Sequence, residues 1–360
     1  MRGLHRSRRT IRGGRAGAMS LMLAACALPL AGCKLAQSTY NAHGPAAAHI
    51  ATLAWFMTIL FLVITAIMWI LIGYAFYRRR GSLETHEPID SSGGEGWIAI
   101  GGFAIPVVVL TIIFIWGLML LGRYPIHGVG GGMPSAKAMM AMKPKIRIIG
   151  HQWWWEIQYL SDDPSQSFTT ANELHIPVGQ PVSIEVETAD VMHSFWIPAL
   201  HGKVDLVPSQ PNYIRIVASQ PGEYHGQCAE FCGDEHARML LLAIAQPPAA
   251  YQAWKQAQLQ PGHEPTTPEA IEGKQVFLGS PCAMCHTVRG TRALGHVAPD
   301  LTHIGSRKMI ASDVYPNNNA YLMAWITHAQ SLKPDCLMPN LTQFSGTQLQ
   351  DLVAYLRQLQ

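Results

Sequence analysis

The sequence predicts three parts in series: two transmembrane helices forming a hairpin, then an all-β barrel, then an all-α domain. Three observations carry that order. Two long apolar runs, residues 49–77 and 97–121, flank an arginine triplet. Residues 145–245 fall into short β-rich runs split by Pro, Gly and Asp. Beyond a Pro-rich stretch at 261–268 the apolar spacing turns helical. Charged residues are only 14% of the chain against 49% hydrophobic, which leans towards membrane association, because a solvated surface needs more charge.

The first 32 residues read as an export signal. Residues 1–33 hold six arginines (Arg2, Arg6, Arg8, Arg9, Arg12 and Arg15) and no acid, then an apolar run from Ala16 and the small residues of Leu30-Ala31-Gly32-Cys33. A basic head, an apolar middle and a small-residue cleavage site are the parts of a secretory signal. LAGC resembles the lipobox of bacterial lipoproteins, which implies cleavage before Cys33 and diacylglycerol on its sulfur; ordinary export with an incidental cysteine is the alternative. Without the leader the net charge of +3 becomes about −3. A mildly acidic surface suits a basic soluble partner, and no basic stripe for nucleic acid remains.

Residues 33–126 form the anchor. Each apolar run can cross a hydrocarbon core of about 30 Å as a helix rising about 1.5 Å per residue. Arg78-Arg79-Arg80 marks the cytoplasmic side. The first helix therefore runs inward, the second outward, and everything after Gly122 lies outside. That places the chain in a bacterial inner membrane as a multi-pass protein, with its C-terminal domains and Cys33 on the periplasmic face. The neck at 127–143, rich in Gly130–Gly132 and in Met133, Met139, Met140 and Met142, reads as flexible. Adaptable packing suits these methionines better than holding Cu(I).

The β-rich runs are KIRIIGHQWWWEIQY, NELHIPV, PVSIEVET, NYIRIVAS, GEYHGQC and MLLLAIA. Many short strands at regular spacing predict a sandwich or barrel. Residues 248–260 read as a helix closing this second domain (127–260), and PGHEPTTP at 261–268 as a linker. In the third domain (269–360) Leu349, Leu352, Val353 and Leu356 recur at i, i+3, i+4 and i+7, the stripe of a buried helix face.

Of seven cysteines, Cys26 leaves with the leader and Cys33 is the lipid candidate. Cys228 and Cys232 form one pair, Cys282 and Cys285 another, and Cys336, left over, is read as a buried free thiol. In an oxidising compartment either pair can be a disulfide. The first sits in CAEFCGDEHARM, where His236 and Met239 add an imidazole and a thioether within twelve residues. Soft sulfur with imidazole selects copper. Zinc or a disulfide would leave Met239 unexplained. His193, in DVMHSFW, is a second imidazole at a strand end that can return to the same rim.

CxxxCxxxHxxM with an upstream HSFW resembles the CuA domain of cytochrome c oxidase subunit II, a cupredoxin-like barrel, over residues 45–245. The resemblance implies a dinuclear copper centre bridged by Cys228 and Cys232, with His193 and His236 binding one copper each. Met239 would ligate one copper and the Glu230 carbonyl the other. GHQWWWE resembles the family's aromatic patch that accepts electrons, and implies that Trp153 sits over the copper. For Trp154 and Trp155 a buried aromatic strand is the open alternative. The family's Glu230 side chain also reaches a Mg ion shared with subunit I. Two features depart from the family: Trp154 replaces a tyrosine, and Pro208-Ser209-Gln210 replaces Pro-Gly-Arg, which bears on the subunit I contact. Glu95, just before the second helix, either opens a proton path into subunit I or is a solvated loop carboxylate.

Cys282-Ala283-Met284-Cys285-His286 is the CxxCH pattern of covalent haem c attachment, with His286 the proximal ligand. Met338, in LMPN, is the candidate distal ligand; Met284 lies inside the attachment loop and Met323 reads as helix packing. Residues 269–360 resemble a class I cytochrome c. Together the resemblances imply a caa-type haem-copper oxidase subunit. It would take electrons from a soluble cytochrome c or a cytochrome bc1-type complex and pass them through haem c and CuA to subunit I, with subunit III as a further partner. Oxygen reduction and proton pumping would then belong to the complex. The alternatives are the electron-input subunit of a CuA-type nitric oxide reductase and a membrane-tethered electron carrier. A quinol oxidase subunit would lack these copper ligands.

Overall fold

The computed structural model describes residues 37–78, 94–123 and 143–360. The leader with Cys33, Arg79, Arg80 and the Met-rich neck up to residue 142 lie outside the described residues. Helix α1 (Pro45–Arg78) opens on a proline, tolerated there because a first-turn N–H has no helical acceptor. It starts four residues before the predicted His49. The second helix, α2, runs as Glu95–Trp97, a π-helical turn Ile98–Ala104 and Ile105–Arg123. Pro106 cannot donate to the Gly102 carbonyl, and the wider turn just before it absorbs that gap. Both helices are long and apolar enough to cross a membrane. Large side chains such as Phe61, Trp69, Ile98 and Phe114 face outward, as a lipid-facing surface requires. Phe56 packs on Trp116 between the helices, ring centroids 5.3 Å apart.

The segment before α1 is built into the β-domain: His43 N donates to Ala199 O (2.7 Å) and His43 O accepts from Ser219 N (2.7 Å). This domain has ten strands in two five-stranded sheets. The strands are β1 Ile146–His151, β2 Trp154–Tyr159, β3 Phe168–Ala171, β4 Glu173–Pro177, β5 Val182–Thr188, β6 His193–Trp196, β7 Val204–Leu206, β8 Asn212–Ile216, β9 Gly222–Cys228 and β10 Leu240–Gln246. One sheet runs β3-β2-β1-β5-β8 and the other β4-β10-β9-β6-β7, with β1–β5 and β4–β10 parallel. Burial alternates along β1 and β2, so Ile146, Ile148, Trp155 and Ile157 point into one shared core. In β4 every residue is buried, because α3 (Pro248–Gln258) covers its other face, with Trp254 stacked on His175 (3.9 Å).

The run KIRIIGHQWWWEIQY is a hairpin, β1–β2, rather than one strand. Ser209 has φ +64° at the third position of a turn closed by Gln210 N donating to Val207 O (3.1 Å). Pro208 fixes the preceding φ as negative, so the turn is type II, and serine holds a place that favours glycine.

The third domain packs α4 (Pro268–Leu278), a short α5 (Cys282–Cys285), the two-residue strands β11 (Met309–Ile310) and β12 (Tyr315–Pro316), α6 (Asn319–Leu332) and α7 (Gly346–Gln358). Thr267, Asn318 and Ser345 cap α4, α6 and α7 through side-chain oxygens, the last in a capping box with Gln348. Leu352, Val353 and Leu356 are buried as the stripe predicts, and Leu349 is half-buried beside them. The 261–268 stretch is not a free linker. Gly262 N donates to Arg289 O (2.9 Å), Lys274 pairs with Glu264 (2.5 Å), Thr266 N donates to Gln358 (2.8 Å), and Pro268 already begins α4.

The third domain docks directly on the second. The tip between β11 and β12, Ala311-Ser312-Asp313, holds three consecutive left-handed residues (φ +53°, +66° and +63°). Each costs about 1–2 kcal/mol for a residue with a Cβ, so neighbouring contacts must hold the tip. Ser312 Oγ donates to Leu240 O (2.8 Å), and Asp313 bonds His225 of β9 (2.7 Å). Arg307 reaches Thr170 of β3 (3.2 Å), and Lys308 pairs with Glu223 while its N–H meets Glu173.

Helices α4 and α7 cross where Gly273 has no side chain: a Cβ there would lie 1.9 Å from Asp351 O. Gly273→Ala is therefore expected to cost upwards of about 2 kcal/mol and to melt the third domain at lower temperature, read by the loss of its helical far-ultraviolet circular dichroism.

Candidate copper and haem centres

Strand pairing gathers the first set of ligands. β9 lies between β6 and β10, with Phe195 opposite Cys228 and Leu240 opposite Gln227. His193 at the start of β6, Cys228 at the end of β9 and Met239 just before β10 therefore meet at one end of the domain. The connecting loop brings Cys232, and a short turn, His236–Arg238, turns the second imidazole inward. Two backbone bonds fix the loop's ends: Cys228 N to Met239 O and Ala229 N to Ser194 O, each 2.9 Å.

The donor atoms form one compact group. Cys228 Sγ and Cys232 Sγ are free and 3.8 Å apart. His193 Nδ1 lies 3.8 Å from Cys228 Sγ, and His236 Nδ1 lies 3.5 Å from Cys232 Sγ. Met239 Sδ is 3.9 Å from Cys232 Sγ, and the Glu230 carbonyl 3.2 Å from Cys228 Sγ. The two thiols share a proton: the Cys232 thiol, with help from His193 and two backbone groups, holds Cys228 down at about 3 and keeps its own proton far more tightly. A second thiolate beside the first needs compensating positive charge. Buried sulfurs, two imidazoles, a thioether and a carbonyl are the donor set that suits copper, so the residues fit the group.

Two residues outside the predicted set shape this site. Asp190 accepts from His193 Nε2 (2.8 Å) and from Gln152 N (2.7 Å), fixing the ring so that Nδ1 faces sulfur. Gly150 leaves room for that ring, since a Cβ there would lie 2.8 Å from His193 Cδ2. The tryptophans divide. Trp155 is fully buried against Phe195, Trp154 stacks on His151 (4.3 Å), and Trp153 donates from Nε1 to the Cys232 carbonyl (3.0 Å).

The second centre is an apolar cavity in the third domain. Cys282, Cys285 and His286 line it together with Met338, Trp325 and Arg307. His286 Nδ1 donates to Pro299 O (2.7 Å), which fixes the tautomer and leaves Nε2 as the free ligand nitrogen. Burial lowers the His286 pKa, favouring the neutral ring a metal requires. Gln330 of α6 splints the facing loop by donating to Cys336 O (2.6 Å) and Met338 O (2.7 Å). Buried Arg307 has no partner for its Nε among the described residues, an N–H suited to a carboxylate of the bound group. Apolar walls, the CxxCH cysteines, imidazole, thioether and this guanidinium fit haem. Gln152, Trp153 and Trp154 of the second domain line the same cavity.

Known proteins match in the same two blocks. The family described as Cytochrome C oxidase subunit II, periplasmic domain, matches residues 160–245, and Cytochrome c matches residues 270–360. Cytochrome c oxidase subunit 2 of Alkalihalophilus pseudofirmus is 35% identical over 308 residues, covering 84% of each chain. The chain belongs to the cytochrome c oxidase subunit 2 family. Its Bacillus subtilis relative is 28% identical over 355 residues, covering 94% of this chain and 96% of the relative. The periplasmic domain of subunit II of cytochrome oxidase from Bradyrhizobium japonicum is 27% identical, covering 32% of this chain and 93% of that one, with a TM-score of 0.29. This is an oxidase subunit: a membrane-anchored chain with a periplasmic cupredoxin-like domain and a cytochrome c domain, for which the family implies copper and haem. It is the electron-entry subunit of a terminal oxidase, and its partner there is subunit I.

Other predicted residues fall as follows. Glu95 is exposed in the first turn of α2. The Glu230 side chain is exposed beside Phe231 on the copper-ligand loop. Met323 is half-buried in the helical core, as a packing residue should be, and Met284 is 76% exposed. Cys336 is half-buried rather than buried, because the loop carrying Met338 runs along the surface. Asp190 was legible only as an acid three residues before His193 in DVMHSFW, a spacing that has many other uses.

Asp190→Ala should free the His193 ring and lower copper affinity about 10- to 100-fold in a competitive titration, with the thermal melt of the metal-free protein little changed.

Proposed function

We propose that this chain takes electrons one at a time from a soluble cytochrome c or a cytochrome bc1-type complex and delivers them to the haem-copper subunit I of a proton-pumping oxidase that reduces oxygen to water. Haem c and dinuclear CuA supply the redox chemistry when bound; the protein supplies position and electrostatics. One observation carries the reading: Trp153 both lines the haem cavity and donates from Nε1 to the carbonyl of Cys232. The same side chain therefore joins the two centres.

The geometry supports the following roles. Cys228, Cys232, His193, His236, Met239 and the Glu230 carbonyl would hold the copper, with the two thiolates supplying the negative charge that the cations need. Cys282, Cys285, His286 and Met338, which line one cavity, would hold the haem, the two cysteines covalently. Thioether ligation of haem raises its potential, and a rigid β-framework around copper limits rearrangement on reduction. The exposed Glu230 side chain is free to reach a Mg ion shared with subunit I, and Glu95 to meet a proton path there. Subunit III and acylation at Cys33 complete the assembly we infer.

The test is the low-temperature electron paramagnetic resonance spectrum of the oxidised protein, with copper and iron counted in the same sample. A mixed-valence copper signal split by two nuclei, beside low-spin haem, is expected. Cys228→Ser should abolish that splitting and leave the haem signal. Haem alone, with Cys228 disulfide-bonded to Cys232, would overturn the copper assignment and leave a tethered cytochrome.

A further inference from the structure

Lys333 follows α6 in the cytochrome c domain, five residues before Met338. Only 3% of it is exposed. Its ammonium donates to three backbone carbonyls: Trp153 O (2.6 Å), Arg238 O (3.0 Å) and Ala311 O (3.5 Å). The first belongs to the residue that joins the two centres. The second lies next to Met239, in the loop that carries the copper ligands. The third belongs to the left-handed hairpin tip of its own domain. A buried lysine is rare unless its charge is satisfied, and here its three donors meet three acceptors converging from both domains.

The surroundings support the same seat. Arg238 turns its guanidinium back across the interface to Leu332 O (2.9 Å), so residues 332 and 333 are gripped by one copper-domain residue in both directions. Glu235 is buried, its Oε1 lies 3.4 Å from Arg238, and its Oε2 has no partner among the described residues. That carboxylate supplies negative charge facing the ammonium. Burial lowers the Lys333 pKa to about 8, which leaves the side chain protonated at neutral pH. The side chain also lines the haem cavity.

We propose that Lys333 is the positioning residue for electron transfer within the chain: by binding the Trp153 and Arg238 carbonyls together, it holds Trp153 between the haem cavity and the copper loop. The inference rests on the relay reading above. A methylammonium-like point charge on a flexible stem suits three converging carbonyls, whereas a planar guanidinium presents its donors in a fixed fork. Arginine therefore keeps the charge and loses the seat. The charge itself has a separate effect. A buried cation close to both centres favours their reduced states, so its removal lowers both midpoint potentials.

The experiment uses the full-length chain with both metals loaded. Haem c is photoreduced, and its reoxidation by copper is followed in wild type, Lys333→Met and Lys333→Arg, with redox titrations and copper spectra of each. Lys333→Met is expected to slow the transfer about tenfold or more and to lower both potentials, with the copper spectrum retained. Lys333→Arg is expected to slow it comparably while keeping the potentials. Transfer within about twofold of wild type in either metal-loaded variant would overturn the proposal. A second measurement needs no variant: amine acetylation of the native protein should spare Lys333 while labelling Lys143, whose side chain is 72% exposed. Equal labelling of the two overturns the buried seat. If wild type itself shows no haem-to-copper transfer with both metals present, the relay reading fails, whatever the state of Lys333.

Discussion

The pairing of β9 with β6 on one side and β10 on the other is the constraint on which the rest depends. It brings residues far apart in sequence, His193 and Cys228, to one rim, and it fixes both ends of the loop that supplies Cys232, His236 and Met239. Backbone hydrogen bonds set those positions, so the fold itself gathers the ligand atoms. The coupled thiols follow from that placement: two sulfurs held 3.8 Å apart cannot both ionise without added positive charge. Asp190 and Gly150 then settle the orientation of one imidazole, the first by a hydrogen bond and the second by absence of a side chain.

The same loop is the platform for the cytochrome c domain. Trp153 bonds the Cys232 carbonyl on one side and borders the haem cavity on the other. Around it polar contacts join the two domains: Asp313 with His225, Ser312 with Leu240, Arg307 with Thr170, and Lys333 with carbonyls of both domains. Such contacts are directional, so they specify one docked geometry more than they add affinity. The three left-handed residues at the hairpin tip make the same point, since their strain is tolerated only where the partner surface fits. At the membrane end, His43 stitches the start of α1 to the β-domain, which sets the copper loop's position relative to the anchor.

Much of this was legible in the sequence, for physical reasons that differ by region. Apolar runs too long for a globular core announced both membrane helices; Pro45 starts the first earlier than expected, and a π-helical turn ahead of Pro106 interrupts the second. The metal ligands were legible because soft donors at short fixed spacing have few other uses. The strands β3 and β7 were missed because four or three residues carry too little alternation, and the β1–β2 hairpin hid inside one continuous aromatic run. The Pro-rich stretch at 261–268 reads as a linker by composition, and Glu264 and Thr266 bond it to the third domain. Lys333, Gln330, Asp190 and Arg307 were illegible. Lys333, Gln330 and Arg307 act through backbone carbonyls or residues distant in the chain, which leaves no local pattern, and the i,i+3 spacing of Asp190 and His193 has too many other uses to single it out.

The central claim is that the two centres are held in one fixed arrangement across Trp153. The most direct measurement is the rate at which photoreduced haem c loses its electron to copper in the isolated full-length chain, as a function of solvent viscosity and protein concentration. A docked chain predicts a single first-order phase that neither variable changes. A rate that falls as viscosity rises, or that grows with protein concentration, would mean that the haem domain must swing or meet another molecule, and would contradict the account.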